Sequence, residues 1–568
     1  MTFQAVDFAR EQSIKGKLRR LYGEKSEETY REILRVVEKY RGLSPKPKPW
    51  VSEKDVILIT YGDSIVEKGK VPLQTLRDFL MTHVKGTVTG IHLLPFFPYT
   101  SDDGFSVVDY RKVNPDLGDW RDIEALMEDF DLMVDAVVNH VSKSSEWFQR
   151  YLSGDPAYAE YFIEADPNAD YSKVIRPRTL PLLTPFQTKE GTKYVWTTFS
   201  PDQIDLNYKN PRVLIEVLDI LLMYAAKGAR FIRLDAVGFI WKEPGTNCMH
   251  LEETHAIIKL MREVIDWASP GTLLITETNV PHRENISYFG NGYDEAHMVY
   301  QFPLPPLTLH AFHAKNARKL MEWADRLEPT TPATTVFNFL ASHDGIGIRP
   351  VEEILTPEER TMLVHKALEH GGFVSYKDNG DGTQSPYELN ITYLDALTHP
   401  SEARDVRVKR FLAAHGILLS MQGVPGIYIH SLVGSPSDRK GAESSGIKRR
   451  INREKLDKQR LCEELANDTL HRRVFEGLSR LIRLRRQQKA FSPEAKQKVL
   501  FLDDRVFSLL RIHEETGERI LALVNVSDQR LSVKVDASGT DVIGNRHVDG
   551  TVDLAPYQIM WIRMEERG

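Results

Sequence analysis

Cysteine is nearly missing: the chain of 568 residues holds two, Cys248 and Cys462, too few and too far apart for a disulfide framework or a thiolate zinc site. Long apolar runs are missing as well. No stretch approaches the roughly 18 consecutive apolar residues of a membrane span, and residues 1–20 mix acidic and basic side chains without the apolar segment of an export signal. Neither sign of charge dominates, since 74 Lys and Arg against 80 Asp and Glu leave a net charge of -6. Nucleic acid and anionic membrane are therefore not expected as partners. Repeats at solenoid periods and low-complexity tracts are absent too. A reducing cytoplasm fits these absences, and small molecules are the partners left.

What is present is apolar mass: 41% of residues are hydrophobic and 27% charged, enough for large cores in a chain about four times a usual domain. Residues 1–50 read as a helical extension, with Ile33, Leu34, Val36, Val37 and Tyr40 on one helix side, Gly42 as its end, and Pro45, Pro47 and Pro49 as a stiff connector. From Val56 onward, short β-branched runs alternate with helical periodicity, the pattern of a parallel α/β sheet. Eight strands are expected over 56–60, 90–95, 132–138, 231–237, 273–278, 297–302, 335–343 and 426–430. Eight runs buried on both faces predict a (β/α)8 barrel with subdomain inserts after strands 3 and 7, although a doubly wound sheet fits the same alternation.

The barrel would occupy 51–140, 211–344 and 400–488. An irregular insert, rich in Pro, aromatic and charged residues, is expected over 141–210, and a second, rich in turn chemistry such as Asp378-Asn379-Gly380-Asp381-Gly382, over 345–399. Residues 489–568 turn β-rich with frequent turns and read as a C-terminal antiparallel β domain. The turn at 378–382 superficially resembles a calcium loop but lacks its full ligand set. No metal and no cofactor are expected.

Arg233 and Asp235 are two apart on a strand, so they share one face. The guanidinium is expected to lower the carboxyl's pKa, as a carboxylate nucleophile requires; a purely structural ion pair fits equally. Glu277 ends an apolar run, where desolvation would raise its pKa toward that of a general acid; a capping Glu is the plainer alternative. His343-Asp344 and the segment Asp135 to His140 close two further strands. Taken together, Asp135, Asn139, His140, Arg233, Asp235, Glu277, His343 and Asp344 all fall near strand C-termini, where barrel active sites are built. Three carboxylates with two imidazoles and an Arg suit retaining glycosyl transfer, whose two working carboxyls stand about 5 Å apart.

These segments, Asp135 to His140, Gly228 to Asp235, Glu277 and His343-Asp344, resemble the four signature regions of glycoside hydrolase family 13, the α-amylase family. Ile91 to Phe97, Ser101 to Phe105, Asp116 to Trp120, Arg176-Pro177-Arg178, Lys242 to Thr246 and Ile451-Asn452-Arg453 resemble its sucrose-phosphorylase subfamily. The resemblance runs from Val56 into the C-terminal tail. It implies Asp235 as nucleophile, Glu277 as acid/base and Asp344 as transition-state stabiliser. It also implies His140, Arg233 and His343 around a glucose ring, Phe105 as an aromatic platform, Gln203 as a further substrate contact, and Asp102 with Arg453 closing around the far hydroxyl.

On the acceptor side, Asn279 stands where sucrose phosphorylases carry a His, and Phe239 where they carry a Tyr. With the N-terminal extension and Ser385 to Asn390, these positions are most like the glucosylglycerate phosphorylase branch. That branch implies exchange of D-glycerate and phosphate on a glucosyl unit, giving α-glucose 1-phosphate. Arg178 is the leading candidate for the anion, since a guanidinium grips carboxylate and phosphate alike. Glu388, Lys242 and Tyr387 are further acceptor-side candidates. Phosphorolysis of sucrose 6'-phosphate, glucosylglycerol or sucrose, and α-glucosidase-like hydrolysis, use the same three carboxylates. A sugar-binding protein without catalysis is disfavoured because all three are present. The N-terminal extension offers a surface for a homodimer.

Overall fold

The structure, a computed structural model, describes residues 3–379 and 382–565. Eight strands close into an all-parallel barrel: β1 (Ile57–Thr60), β2 (Gly90–Leu93), β3 (Asp131–Ala136), β4 (Ala229–Leu234), β5 (Leu273–Thr276), β6 (Met298–Tyr300), β7 (Thr335–Phe339) and β8 (Val424–Tyr428). Neighbours around the ring are consecutive in sequence and β1 meets β8, which excludes the doubly wound sheet. The strands are buried because helices cover the outside and side chains fill the inside, so each reads as an apolar run. The last strand lies two residues earlier than expected. Pro425 is tolerated within it, and the segment Ile429–Leu432 is helical, so His430 belongs to that helix.

The inserts project from the C-terminal strand ends. The one after β3 is more regular than its composition suggested: Leu183–Thr188 and Gly191–Trp196 form an antiparallel hairpin, and His140–Val141 pairs with Ile204–Asp205. The insert after β7 is a three-stranded sheet, with Gln384–Asn390 between Ile346–Gly347 and Phe373–Asp378. In the turn expected at 378–382, Gly380 and Asp381 lie outside the described residues. The tail forms a six-stranded antiparallel sheet. Ser420, ending the helix Arg404–Ser420, anchors it: Trp561 Nε1 donates to Ser420 Oγ at 3.1 Å and Arg511 Nη1 to the Ser420 carbonyl at 2.9 Å.

The N-terminal extension is two helices, α1 (Phe3–Tyr22) and α2 (Ser26–Tyr40). Ile33, Val36, Val37 and Tyr40 are buried on one side of α2, Leu34 is half-buried, and Gly42 follows in the left-handed region. Among the described residues, no helix is long and apolar enough to cross a membrane.

Candidate active site

One pocket opens at the C-terminal end of the barrel between the two inserts. Its lining includes Asp102, Phe105, His140, Arg178, Gln203, Asp235, Glu277, Asn279, His343, Asp344 and Glu388 among the residues singled out in the sequence. Arg233 and Arg453 stand behind this wall, so they act on the pocket through the carboxylates they touch.

The floor is built by strand register. Asp135 on β3 pairs with Arg233 on β4, and both side chains point inward. Arg233 Nη1 donates to Asp135 Oδ1 at 2.5 Å and to Asp235 Oδ1 at 2.8 Å, while Nη2 lies 3.8 Å from Glu277 Oε2. His92 on β2 meets the other Asp135 oxygen at 2.7 Å. Burial opposes the charge on Asp135, but His92 and Arg233 hold its carboxyl down at about 2. The polar His within the apolar run Ile91-His92-Leu93 was the sequence signal for this contact.

Asp235 follows β4 and Glu277 follows β5, where the ladder continues for one more bond each: Asp235 N–H to the Ala136 carbonyl and Glu277 N–H to the Leu234 carbonyl, both at 3.1 Å. Ala236 then turns into the left-handed region at φ 48°, an uncommon conformation for a residue with a Cβ. That turn aims its N–H at Glu277 Oε2, 3.2 Å away.

The expectation of a lowered Asp235 pKa is overturned. Burial pushes it well above the ordinary carboxylate range, Arg233 pulls it back, and Glu277, Asp135 and Asp344 push it up again. One guanidinium shared among several carboxylates cannot offset burial and their mutual repulsion. Glu277 is raised too, by burial and by Asp344 against the pull of Arg233.

Asp344 differs. Burial opposes its charge, yet Arg449, His343, Arg453 and Arg233 hold its carboxyl well below the usual range. Arg449 Nη1 stands 2.6 Å from Asp344 Oδ1, and Arg453 Nη2 3.6 Å from the same oxygen. Neither contact has the direction of a hydrogen bond, and Oδ1 is itself buried behind the two guanidinium groups.

The side wall is aromatic and neutral. The Phe105 ring stacks on His343 with centroids 4.8 Å apart and planes 6° from parallel. Burial lowers His343 to about 3 and also lowers His140, so both imidazoles are neutral. His140 Nε2 donates to the Phe105 carbonyl at 2.9 Å and Gln203 Nε2 to the same oxygen at 3.1 Å. Gln203 Nε2 also lies 3.3 Å from Asp102 Oδ2.

Of the two residues expected around the far hydroxyl, Asp102 lines the pocket while Arg453 is turned to Asp103: its Nη1 donates to Asp103 Oδ2 at 2.8 Å, and Arg450 reaches the other oxygen at 2.7 Å. Asp102 and Asp103 both adopt left-handed backbone, φ 53° and 47°, followed by Gly104 at 112°, and this hook turns the first carboxylate into the pocket and the second toward the arginines. Lys242 does not reach the acceptor side, because its Nζ is buried 2.6 Å from Asp205 Oδ2 and 2.9 Å from Asn139 Oδ1. Phe239 does not line the pocket either; it packs edge-on behind Phe199, which does.

Arg178, Asn279, Tyr387 and Glu388, expected on the acceptor side, line the pocket together with Arg449. Arg449 escaped notice because it sits in the run Lys448-Arg449-Arg450, which looks like a solvated basic patch. Among the described residues, no group of His, Cys, Asp and Glu has the arrangement of a metal site.

Residues 83–349 match the family model for the alpha amylase catalytic domain, and residues 507–562 match the C-terminal immunoglobulin-like domain of D-apionate lactonase. The glucosylglycerate phosphorylase of Allomeiothermus silvanus is 55% identical over 90% of this chain and 91% of its own length. That of Escherichia coli is 47% identical over 94% and 96%. The crystal structure of sucrose 6F-phosphate phosphorylase from Thermoanaerobacter thermosaccharolyticum shares the fold, with a TM-score of 0.73 and 24% identity over 88% of this chain and 98% of that one. With carboxylates at the ends of β4, β5 and β7 and such relatives along its length, the chain belongs to glycoside hydrolase family 13, the α-amylase family, within its sucrose-phosphorylase subfamily.

Proposed function

We propose that the protein is a retaining glucoside phosphorylase that converts 2-O-α-D-glucosylglycerate and phosphate to α-D-glucose 1-phosphate and D-glycerate. The reading rests on one observation above all: Asp235 and Glu277, on adjacent strands, stand buried beside a single guanidinium, in a chain 55% identical to a glucosylglycerate phosphorylase.

Arg233 hydrogen-bonds Asp235 at 2.8 Å but stands 3.8 Å from Glu277; that contact favours the ionised form of Asp235 against the burial that raises it, and the mechanism takes Asp235 as the charged partner and Glu277 as the proton carrier. Asp235 attacks the anomeric carbon as the bond to the glycerate oxygen breaks, and Glu277 gives its proton to that oxygen. A β-glucosyl ester on Asp235 remains. Hydrogen phosphate takes the vacated acceptor place, its oxygen forms the new bond to the anomeric carbon, the ester bond breaks, and Glu277 takes up the proton that phosphate brings, which regenerates the enzyme. Two inversions retain the configuration. Asp344, ionised and lining the pocket, takes a hydroxyl of the distorted ring, and Phe105 and the neutral His140 and His343 contact its faces and edges.

Glycerate and phosphate are both anions, and Arg178 serves them in turn. It lines the pocket near Tyr387, whose hydroxyl feels its positive charge. The neutral Asn279 and Tyr387 supply polar contacts beside it. Two soluble reactants, a net charge of -6 and the unpaired Cys248 and Cys462 support a cytoplasmic enzyme acting on small molecules rather than on nucleic acid.

The test is phosphate release from α-glucose 1-phosphate with D-glycerate, glycerol, fructose, fructose 6-phosphate or water, each supplied alone. Release with D-glycerate only is expected. Preference for another acceptor would reassign the acceptor wall, and a comparable rate with water would make the protein a hydrolase.

A further inference from the structure

Glu388 is a buried carboxylate, its side chain 3% exposed, on a wall that must admit anions. Its partner is Arg449, whose Nε donates to Oε1 at 3.0 Å and whose Nη2 donates to Oε2 at 2.7 Å. This two-bond fork fixes the guanidinium plane. The remaining nitrogen, Nη1, reaches 2.6 Å from Asp344 Oδ1. A single guanidinium therefore spans from the acceptor wall to the glucosyl end.

The backbone is packed to suit. Gly347 pairs with Glu388 in the antiparallel register, and a Cβ on Gly345 would stand 2.5 Å from Glu388 Cγ and 2.5 Å from the Leu389 carbonyl. Glu388 thus lies directly behind the turn that carries Asp344. The other holds on the Asp344 carboxylate are longer, with His343 Nε2 at 3.4 Å and Arg453 Nη2 at 3.6 Å. Asn452 grips only its main-chain carbonyl, at 2.8 Å.

We propose that Arg449, anchored by Glu388, is a positioning residue that sets the orientation and charge of Asp344, so that the acceptor wall governs chemistry at the glucosyl end. This rests on the phosphorylase reading, in which Asp344 faces the glucosyl ring. Arg449 is then committed to two carboxylates, and acceptor anions are left to Arg178. The groups facing Asp344 are Arg449, Arg453 and Arg233 and the imidazole of His343, with Asp235 and Glu277 across the pocket. Against burial, the three guanidinium groups and His343 hold its carboxyl down, Arg449 foremost.

The probe is hydrolysis of α-glucosyl fluoride, which needs only water as acceptor, compared across Arg449→Met, Arg449→Lys, Glu388→Gln and the double variant Arg449→Met with Glu388→Gln. Arg449→Met is expected to lower kcat by roughly 10²-fold, the cost of misplacing a group at the reacting centre, and to leave KM for phosphate and D-glycerate within about threefold. The acidic limb of its kcat profile should move to higher pH, because Asp344 loses its main cation. Glu388→Gln should lose roughly tenfold, and the double variant should be no worse than Arg449→Met, since the two act as one unit. Arg449→Lys should restore the acidic limb without the full rate.

An unchanged kcat with a raised KM for phosphate or D-glycerate would make Arg449 an acceptor ligand and overturn the inference. Additive losses with an unmoved acidic limb would reduce the pair to packing and overturn it as well. Melting temperatures accompany each variant; if Arg449→Met does not fold, Arg449→Lys and Glu388→Gln carry the same comparison. A wild-type protein inert toward α-glucosyl fluoride would instead refute the phosphorylase reading, and this inference with it.

Discussion

Asp135 and Arg233 stand opposite each other in the pairing of β3 with β4, and the nitrogen that Arg233 gives to Asp135 at 2.5 Å also reaches Asp235 at 2.8 Å. A guanidinium inside a barrel needs a counter-charge. Asp135 supplies it from below, and that contact fixes how Arg233 meets the pocket from behind. Support and chemistry are therefore joined in one buried group.

Asp135→Asn leaves that guanidinium with half its compensation. Breaking a buried pair costs about 3–5 kcal/mol, so denaturant titration should show a large loss of stability together with a loss of kcat. Undiminished stability would contradict the assigned network.

Asp235→Asn removes the proposed nucleophile while keeping its shape and its place beside Arg233. Turnover should fall at least ~10⁴-fold, and intact-protein mass spectrometry should find no glucosyl adduct. An adduct in this variant would assign the nucleophile elsewhere.

Glu277→Gln should cost roughly 10²–10⁴-fold with glucosylglycerate, whose leaving oxygen needs a proton. The loss should be much smaller with α-glucosyl fluoride, whose leaving group does not. Equal losses with both donors would remove Glu277 from the acid role.

The pH profile of kcat/KM should be bell-shaped, because the reaction needs Asp235 ionised and Glu277 protonated. Protonation silences Asp235 on the acidic side, and deprotonation removes the acid Glu277 on the basic side. Burial raises both groups, so the acidic limb should lie above the ordinary carboxylate range of about 4. A limb at or below that range would count against the nucleophile being so deeply buried.

Stability should fall with pH for a separate reason. Burial holds His343 and His430 at about 3 and His415 at about 4, against about 6.5 in an unfolded chain. Between these values the unfolded chain binds protons that the folded one refuses, so stability is full above about pH 6.5 and declines as pH falls toward about pH 4. Calorimetric melting temperatures should decrease steadily across that window. A flat or rising trend would show that the imidazoles charge without unfolding.

The barrel was legible because each strand is buried on both faces and so reads as an apolar run, and because Asp235 and Glu277 fall directly after two of them. What the chain alone could not convey is how neighbouring side chains divide their work. Asp102 and Asp103 are adjacent acids, and only their consecutive left-handed backbone decides which faces the pocket and which faces Arg453. Arg449 is hidden between Lys448 and Arg450, since nothing local distinguishes a buried cation from solvated ones. Lys242 was misjudged for the opposite reason: a conspicuous motif residue proved to be tied to Asp205, out of reach of the acceptor. The direction of the Asp235 pKa was lost in the same way, because charge neighbours from four strands act on it at once.

The hook from Ser101 to Phe105 leaves little room for variation. Two non-glycine residues hold left-handed backbone there, both oxygens of Asp103 are bound by arginines, and a Cβ on Gly104 would meet the Pro95 carbonyl at 2.7 Å. Within the second insert Glu388 is held as tightly, by Arg449 and the Gly345 turn, whereas its neighbour Tyr387 is only half-buried. In evolutionary terms, descent with change of substrate should run through positions such as Tyr387, with the hook inherited intact.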